Sequence, residues 1–444
     1  MNQFTVSIWG DEAFSAILSM KPIAEITKII ARDTSPPLYN LTEHFAFKLF
    51  GSSEVVIRGL SFFYFLIAVF FVYKIGVLLW NKKTAYAAAA LTFLNPFFFS
   101  YAFEGRMYSI LAASVVTSMY FFLKRNWVGY VIATTAALYS HHFSVFAVAV
   151  QGLWFIKEFA TGNKQLAIKM LKAFIAVGIL YLPWIVPLYK QTKMVGGGFW
   201  LGKPTLDDLR NLIYDYLAEG IRNKDLQLPV LNTPFYHASL YLVFALLAFR
   251  KWRKSIKKTL FLISWFLLPV LLTWLISQKF QSIFFNRYLL YTIPAAMLVV
   301  ASQGRGKISA VLIGFTIIFF SIIDYHYFTH PTKLPFREMA AYVKQSKNED
   351  DSLINWNSAS HHLWETKYYG IPAPIFVPEG RQLPFYVGTA LMETADIIHK
   401  IPEGSGRVGI VTSGPIDEIS LPGYTEMEAK TFANLKFIWY TKNE

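Results

Sequence analysis

Two adjacent acids, Asp11 and Glu12, stand near the beginning of a chain that is otherwise strongly apolar. A carboxylate at the edge of a cavity can accept the proton of an attacking hydroxyl group. A second carboxylate beside it can hold the loop or bind a cation. Acids in the first turn of a helix are also favoured by the helix dipole, so a purely structural role is the alternative for this pair.

The stretch DTSPPLYN, residues 33–40, follows about 22 residues later. Ser35, Pro36 and Pro37 predict an extended turn, because proline fixes its own φ and restricts the residue before it. Tyr39 then belongs to an apolar, helix-like run. A plain loop-to-helix entry would give the same pattern, but the closeness of this stretch to the acid pair makes it a candidate substrate loop, to which we also assign Glu104.

Two arginines are candidates for binding a phosphate, because a guanidinium grips phosphate through two parallel hydrogen bonds. Arg106 lies in FEGRMYS with Glu104 and Tyr108, and Arg287 lies in FNRYLLYTIPA. A charge at the membrane face costs free energy unless it is paired or hydrated. An ion pair between Glu104 and Arg106, or snorkelling of Arg287, would also explain these residues.

The stretch YSHHFSVF contains the adjacent histidines His141 and His142. Such a pair can contact a phosphate or a metal ion, and it is also common among aromatic residues at a membrane interface. Adjacent side chains diverge on a helix, so the two rings could not readily bind one metal ion there.

The composition predicts an integral membrane protein. The chain has 444 residues, of which 54% are hydrophobic and only 16% are charged, whereas soluble domains are about 25% charged. The net charge of +14 is explained by basic cytoplasmic loops, so we do not expect nucleic-acid binding. The absence of cysteine excludes disulfides, thiolate metal ligands and a cysteine nucleophile.

Apolar runs separated by short polar connections predict about ten transmembrane helices. Every second connection is rich in Lys and Arg, which the positive-inside rule assigns to the cytoplasm. The acid pair, Arg106, both histidines and Arg287 then share the extracytoplasmic face. The predicted spans are 57–80, 84–101, 108–123, 127–141, 143–157, 173–189, 237–249, 259–277, 286–302 and 308–325.

Three regions follow from this pattern. Residues 1–56 form a first extracytoplasmic loop with interfacial helices, and 57–325 form the transmembrane domain. Residues 331–444 form a small extracytoplasmic α/β domain, in which strand-like runs alternate with helix-like stretches at 336–346 and 390–401. Ten spans place the amino terminus outside. We therefore expect either that a first transmembrane helix is missing or that 13–31 lies on the membrane, broken at Pro22.

The order of the motifs resembles the GT-C superfamily of integral-membrane glycosyltransferases. It is similar to the bacterial branch that includes dolichyl-phosphate-mannose–protein mannosyltransferases and the lipid A aminoarabinose transferase. The resemblance covers about residues 7–330 in layout. Asn40 stands where the family usually has an aromatic residue in its PPLYY-like segment, and Gly105 replaces the usual alanine of its ARxY-like segment.

The resemblance implies an enzyme in the cytoplasmic (inner) membrane that takes a sugar from a polyprenyl-phosphate donor to an extracytoplasmic acceptor. The family's catalytic acid maps onto Asp11, with Glu12 beside it, and the transfer would be inverting with Asp11 as general base. Donor-phosphate contacts are expected from Arg106, Arg287, His141 and Tyr108. No cofactor is certain; a divalent ion would have Glu12, Glu104 and His142 as candidate ligands.

Two other kinds of protein share some of these features. A transporter or flippase for a lipid-linked sugar needs the lipid groove and the cations but no base, and its polar groups should serve both faces. A polymerase or ligase of lipid-linked oligosaccharides tends to place paired arginines in large external loops. The gathering of polar groups on one face favours the glycosyltransferase.

Overall fold

The computed structural model describes residues 1–221, 233–248, 256–302, 306–356, 361–378, 380, 382–402 and 406–443. The basic stretches 250–258 and 304–307 of the sequence lie partly outside these ranges. The chain divides into two compact units. The terminal unit contains residues 1–33, 40–57 and 331–444, and the central unit contains 34–39 and 58–330.

The central unit is helical. Two helices, α3 (Leu38–Phe50) and α4 (Glu54–Leu79), lie partly in the terminal unit. The other helices of the central unit are α5 (Lys82–Phe93), α6 (Pro96–Ser100), α7 (Tyr108–Lys124), α8 (Trp127–Ser140), α9 (Ser144–Ala160), α10 (Lys164–Tyr181), α11 (Ile185–Gly196), α12 (Leu206–Tyr214), α13 (Thr233–Ala248), α14 (Ile256–Lys279), α15 (Ile293–Ala301) and α16 (Lys307–Thr329).

Four helical segments in the described ranges are long and apolar enough to cross a membrane: Glu54–Leu79, Lys164–Gly196, Ile256–Lys279 and Lys307–Thr329. Shorter apolar helices lie at Tyr108–Lys124, His237–Ala248 and Leu290–Ala301. The long helices expose large apolar side chains, such as Ile179, Leu275 and Ile318. Apolar surface of this extent matches a hydrocarbon solvent, and the count of ten spans stays a prediction.

The predicted span 84–101 is divided in the structure into α5 and α6. Asn95 accepts a hydrogen bond from Phe98 N at 3.0 Å, and Pro96 follows as the first residue of α6. A side-chain cap followed by proline is a strong helix start, because proline lacks the N–H that the first turn leaves unused. The apolar run 84–101 therefore forms two helices instead of the single predicted span.

The helices α7 and α8 pack closely as a hairpin. Gly129 faces the ring of Phe121, and a Cβ atom on Gly129 would lie 2.7 Å from that ring. A buried polar network lies beside this contact: Ser118 Oγ is 2.7 Å from Thr134 Oγ1, and Gln151 Nε2 of α9 donates to Ser118 Oγ at 2.9 Å. Small residues and interhelical hydrogen bonds are the usual means of helix association in membranes.

The terminal unit combines helices from both ends of the chain with one sheet. Its helices are α1 (Gly10–Ser19), α2 (Ile23–Ile30), α17 (Phe336–Ser346) and α18 (His361–Tyr368). Pro22 separates α1 from α2, as the sequence predicts. The strands are β1 (Ser352–Asn355), β2 (Ile375–Phe376), β3 (Ile397–Ile398), β4 (Arg407–Thr412), β5 (Tyr424–Phe432) and β6 (Leu435–Lys442).

The six strands lie in the order β3-β2-β1-β4-β6-β5. The pairs β1–β2, β1–β4 and β2–β3 are parallel, whereas β6 is antiparallel to both β4 and β5. Phe336, Met339 and Val343 of α17 pack on one apolar cluster with Phe437 and Trp439. A second cluster, which includes Ile354, Ile410 and Ile438, completes the core of the sheet.

Within 331–444, the helix predicted over 336–346 is present as α17. The prediction of a helix over 390–401 is wrong, because the chain there forms a 3₁₀ turn at Thr394–Asp396 followed by strand β3. Asp396 accepts from Glu393 N at 2.9 Å and binds Lys367 Nζ at 2.7 Å. This local capping and the parallel pairing with β2 override the helical pattern.

An ion pair joins the loop between α17 and β1 to the start of β4. Asp351 accepts from Arg407 Nη2 at 2.6 Å, from Arg407 Nε at 3.2 Å and from Asn348 N at 2.7 Å. The Arg407 guanidinium also lies 4.3 Å from the ring centroid of Trp439. Burial opposes ionisation of Asp351, but the hydrogen bonds from Arg407 and Asn348 outweigh it and hold the pKa of Asp351 below its usual value.

We expect Asp351→Asn to destabilise the terminal unit by about 2 kcal/mol at neutral pH, because hydrogen bonds to a charged group are lost. The folded-state pKa of Asp351 is depressed, so its contribution is present above the unfolded pKa of about 3.9 and is lost as pH falls through the folded value. Thermal unfolding followed by tryptophan fluorescence from pH 7 to pH 3 should show the variant and the wild type converging. The control is Asp350→Asn, at an exposed neighbouring residue. An equal loss of stability in this control would contradict the role given to the Asp351–Arg407 pair.

Candidate active site

The acid pair lies in the first turn of α1, where the two carboxylates have different environments. Glu12 is fully buried, and its Oε2 is 2.9 Å from Lys333 Nζ and 3.3 Å from Trp9 N. Asp11 is partly exposed. Because Glu12 accepts from the residue that precedes the helix, Glu12 has a structural role at this helix start.

The helix α3 braces the other end of α1. Asn40 Nδ2 donates to Ser19 Oγ at 3.1 Å, and Ser19 Oγ donates to Glu43 Oε2 at 2.8 Å. His44 Nδ1 is 2.8 Å from the carbonyl oxygen of Ser19. All four side chains are buried. Asn40, which stands where the related motif has an aromatic residue, therefore fastens the acid-bearing helix.

The segment before the acid pair is held by residues from the distant end of the chain. Tyr369 Oη lies 2.9 Å from Ile8 N and 3.0 Å from Glu54 Oε1. Arg337 Nη2 donates to the carbonyl oxygen of Thr5 at 2.9 Å, and its Nη1 lies 3.3 Å from Glu54 Oε1. The approach to Asp11 is thus held by side chains from distant parts of the sequence.

A second buried carboxyl group, Glu365 of α18, lies against the start of α1. Burial raises the pKa of Glu365, while the ring of His362 and a hydrogen bond from the backbone of Gly10 act in the opposite direction. The His362 ring lies 3.7 Å from Glu365 Oε2 through Nδ1 and 3.0 Å from Ser413 Oγ through Nε2. Phe14 of α1 meets Trp364 edge-on at 5.4 Å, so α18 supports α1 through both polar and apolar contacts.

In the central unit, the structure brings the predicted phosphate-binding residues together. The Arg287 guanidinium lies 5.5 Å from the ring centroid of Tyr108 and 5.0 Å from that of Phe285. The His141 and Tyr288 rings are 4.9 Å apart. The charges of Arg106 and Arg287 both act on His141. Two cations and a buried histidine therefore share one aromatic-walled region.

The hydrogen bonding of His141 defines how it can act. Its Nδ1 accepts from Phe143 N at 3.1 Å. A neutral ring whose Nδ1 accepts must carry its proton on Nε2. His141 can therefore donate one hydrogen bond from Nε2 toward an anion without being charged.

The neighbouring histidine has a different role in the structure. His142 Nε2 is 2.7 Å from Gln191 Oε1, and Gln191 Nε2 donates to the carbonyl oxygen of Ser35 at 3.3 Å. Tyr181 Oη lies 3.3 Å from His142 Nδ1. His142 thus connects through Gln191 to the turn that contains Pro36 and Pro37, while Tyr39 after this turn is buried.

Glu104 is buried beside the arginine motif. Its carbonyl oxygen accepts from Ser61 Oγ at 2.5 Å and from Arg106 N at 2.7 Å. These bonds fix the backbone that presents Arg106 just before α7 begins. The structure thus gathers Arg106, Tyr108, His141 and Arg287 in the central unit, and it places Asp11 and Glu12 in the terminal unit.

Sequence reasoning missed Lys333, Gln191 and Glu365. Lys333 lies in a short polar stretch with no helical or strand pattern, so nothing in its neighbourhood indicates a partner near the amino terminus. Among the described residues, no group of three His, Asp or Glu side chains is arranged to hold a metal ion. The metal-binding roles of Glu12, Glu104 and His142 stay predictions.

Comparisons with known proteins agree with this architecture. The sequence model of the dolichyl-phosphate-mannose-protein mannosyltransferase family matches residues 34–189. Apo ArnT from Cupriavidus metallidurans is similar in structure with a TM-score of 0.65 and 12% identity, over 99% of this chain and 94% of ArnT. The same protein bound to undecaprenyl phosphate gives a TM-score of 0.60, 10% identity and coverage of 99% and 95%.

A third structure is AglB, an oligosaccharyltransferase from Archaeoglobus fulgidus solved with an inhibitory peptide and a dolichol-phosphate. It gives a TM-score of 0.50 and 13% identity, over 84% of this chain and 61% of AglB. No curated protein sequence matches the chain.

These likenesses define the class: the chain is a multi-pass membrane protein with the fold of GT-C glycosyltransferases. The resemblance to GT-C membrane glycosyltransferases that the order of the motifs predicts is confirmed by the family model over residues 34–189 and by the shared fold. Within this class, its structural similarity to ArnT extends over nearly the whole length of both chains.

We expect Lys333→Met to destabilise the protein by about 3–5 kcal/mol, because it leaves the buried carboxylate of Glu12 without its cation. Glu12→Gln combined with Lys333→Met should recover part of this loss, since the buried charge is then also removed. Unfolding midpoints of the purified variants, with Lys347→Met at an exposed lysine as control, measure the effect. Equal stability of the single and double variants would contradict the pairing.

Proposed function

We propose that the protein transfers a sugar from a polyprenyl-phosphate carrier to an acceptor on the extracytoplasmic side of the cytoplasmic membrane. The observation that carries the proposal is the joint placement of Arg106, Arg287 and His141 in one aromatic-walled region. Two cations and a neutral donor suit a leaving phosphate, whose charge increases as the sugar departs. Related structures solved with undecaprenyl phosphate and dolichol-phosphate support this donor class.

The proposed reaction is a single displacement with inversion at the anomeric carbon. A base takes the proton of an acceptor hydroxyl, whose oxygen forms the new bond to that carbon. The bond from the anomeric carbon to the phosphate oxygen breaks, and the polyprenyl phosphate leaves with the electron pair. Arg106 and Arg287 stabilise this phosphate, and His141 donates a hydrogen bond to it through Nε2–H.

Asp11 is the proposed base. Its neighbour Glu12 is bound by Lys333 and by the backbone at the start of α1. We therefore assign a structural role to Glu12 and the proton transfer to Asp11. The contacts of Asn40 with Ser19 and of Tyr369 with Ile8 support this assignment, because they fix α1 from both ends. Precise placement is what general-base catalysis requires.

The proposed sidedness follows the charge pattern of the chain. The stretches with Lys82 and Lys83, and with Lys157 to Lys172, would face the cytoplasm. Residues 1–56 and 331–444 would lie outside, with the sugar transferred to a protein, lipid or glycan there. The exposed apolar helix faces supply the lipid surface from which a polyprenyl chain can approach.

A reconstituted assay tests the proposal. The purified protein would be given a radiolabelled undecaprenyl-phosphate sugar in detergent, and labelled product would be separated from lipid. Release of undecaprenyl phosphate with transfer to an acceptor supports the enzyme. Movement of intact labelled lipid across proteoliposomes without cleavage would instead identify a transporter.

We expect Arg106→Ala and Arg287→Ala each to lower kcat/KM for the lipid donor by about 10- to 100-fold, because a charge-assisted contact to the leaving phosphate is lost. Arg106→Lys should retain part of the activity, since it keeps the charge but loses the two-pronged grip. Arg210→Ala, which removes an exposed arginine of α12, is the matched control. Unchanged donor kinetics in both alanine variants would place the phosphate site elsewhere.

We expect Asp11→Asn to lower the rate of transfer by about 10²- to 10⁴-fold, because the amide cannot act as the base. Donor binding and the unfolding temperature should stay close to the wild type, since asparagine has the same shape and Asp11 is partly exposed. Single-turnover rates, with donor binding measured separately, check this. Near-normal turnover in the folded variant would refute the base assignment and favour the transporter.

A further inference from the structure

The central unit contains a cavity of about 210 Å³ that the mechanism above does not use. Its apolar wall includes Phe122, Trp127, Trp154, Met170 and Phe261. The rings of Phe122 and Phe261 are stacked with centroids 6.2 Å apart, and Trp154 meets Phe261 edge-on at 5.4 Å. Aromatic side chains thus make up half of the apolar residues that line the cavity.

The rim of this cavity is strongly basic. Arg125, Lys157, Lys257 and Lys258 line it, whereas Glu158 is the acid among its lining residues. The Glu158 carboxylate already accepts from Asn163 Nδ2 at 3.0 Å and lies 3.5 Å from Lys157 Nζ. Three of the four cations therefore have no acid among the residues that line the cavity.

Two of these cations are fixed in place by the fold. Lys258 Nζ donates to the carbonyl oxygen of Leu79 at the end of α4. Lys157 Nζ lies 4.0 Å from the ring centroid of Trp154, a cation–π contact. The positive charge is therefore held directly beside the aromatic wall.

Arg125 occupies a position where glycine is usual. It ends α7 with φ of +61°, in the left-handed conformation that costs a residue with a side chain free energy. The chain thus accepts backbone strain where it places a guanidinium at the rim. Glycine would relieve the strain but would remove this cation.

The cavity lies at the opposite end of α7 from the candidate active site. Arg106 comes just before this 17-residue helix and Arg125 comes just after it, so a rise of 1.5 Å per residue separates them by roughly 25 Å. This end of α7 is therefore too far away to contact a phosphate bound at Arg106. The positive-inside rule accounts for basic residues at this end of the helices, but it does not account for their placement around an aromatic cavity.

We propose that this cavity binds the headgroup and upper acyl chains of an anionic phospholipid. The basic rim suits a phosphate, and the aromatic wall suits the glycerol backbone and the first methylenes of the chains. A soluble phosphate would leave the apolar wall without a partner. A zwitterionic lipid would add its own cationic group to the four basic side chains that already line the cavity.

Native mass spectrometry tests the lipid. The protein would be extracted from vesicles of equal parts phosphatidylglycerol and phosphatidylcholine, and bound lipid would be counted after successive detergent exchanges. We expect one phosphatidylglycerol to be retained by the wild type. Arg125→Gln combined with Lys258→Gln should bind it about tenfold more weakly, because charge-assisted contacts are lost.

Two matched controls separate a built site from general surface charge. Lys82→Gln with Lys83→Gln removes two exposed cations that do not line the cavity, and it should retain the lipid. Leu166→Trp fills the cavity while keeping every charge and should expel the lipid, whereas Leu171→Trp, on the same helix but outside the cavity, should not.

Three results would overturn the proposal. The first is a loss of lipid in Lys82→Gln with Lys83→Gln that equals the loss in Arg125→Gln with Lys258→Gln. The second is full retention of the lipid in Leu166→Trp with a wild-type unfolding temperature. The third is protection against thermal unfolding by millimolar inorganic phosphate as strong as that by phosphatidylglycerol, which would show that no lipid chain is recognised.

Discussion

The complete burial of the Glu12 carboxylate is the constraint on which the terminal unit depends. A buried charge is tolerated only when a partner and further hydrogen bonds replace its hydration. Lys333 supplies the partner and Trp9 N supplies a hydrogen bond. Because Lys333 stands just before α17, this requirement forces the two ends of the chain to fold as one unit, and α1 gains its fixed orientation from that union.

The central unit obeys a second constraint, set by its apolar surroundings. Polar groups cannot face hydrocarbon, so they collect at helix ends or pair between helices. Gln151 and Ser118 pair inside the bundle, whereas Arg106, His141 and Arg287 lie where helices begin or end. A cluster of cationic residues at helix ends is therefore a natural outcome of a bundle that excludes charge from its middle.

The sequence was sufficient to predict features that depend on a local pattern or on the side of the membrane to which each loop is assigned. The alternation of basic loops placed Arg106, His141 and Arg287 at one face, and the structure brings them together. The pairing of Glu12 with Lys333, about 320 residues apart, leaves no pattern in either neighbourhood. Strand β5 escaped prediction because it is exposed along most of its length and carries charged residues, as edge strands do, so no alternation marks it.

The discontinuity of the terminal unit has a consequence for biosynthesis. The helix that carries Asp11 emerges early from the ribosome, but α18, on which it packs, is made only after the last long apolar helix. Domains usually fold as their residues become available, and here the residues of α18 become available only after α16 has been made. A nascent chain in which α18 has not yet been made therefore carries the acid-bearing helix without one of its packing partners.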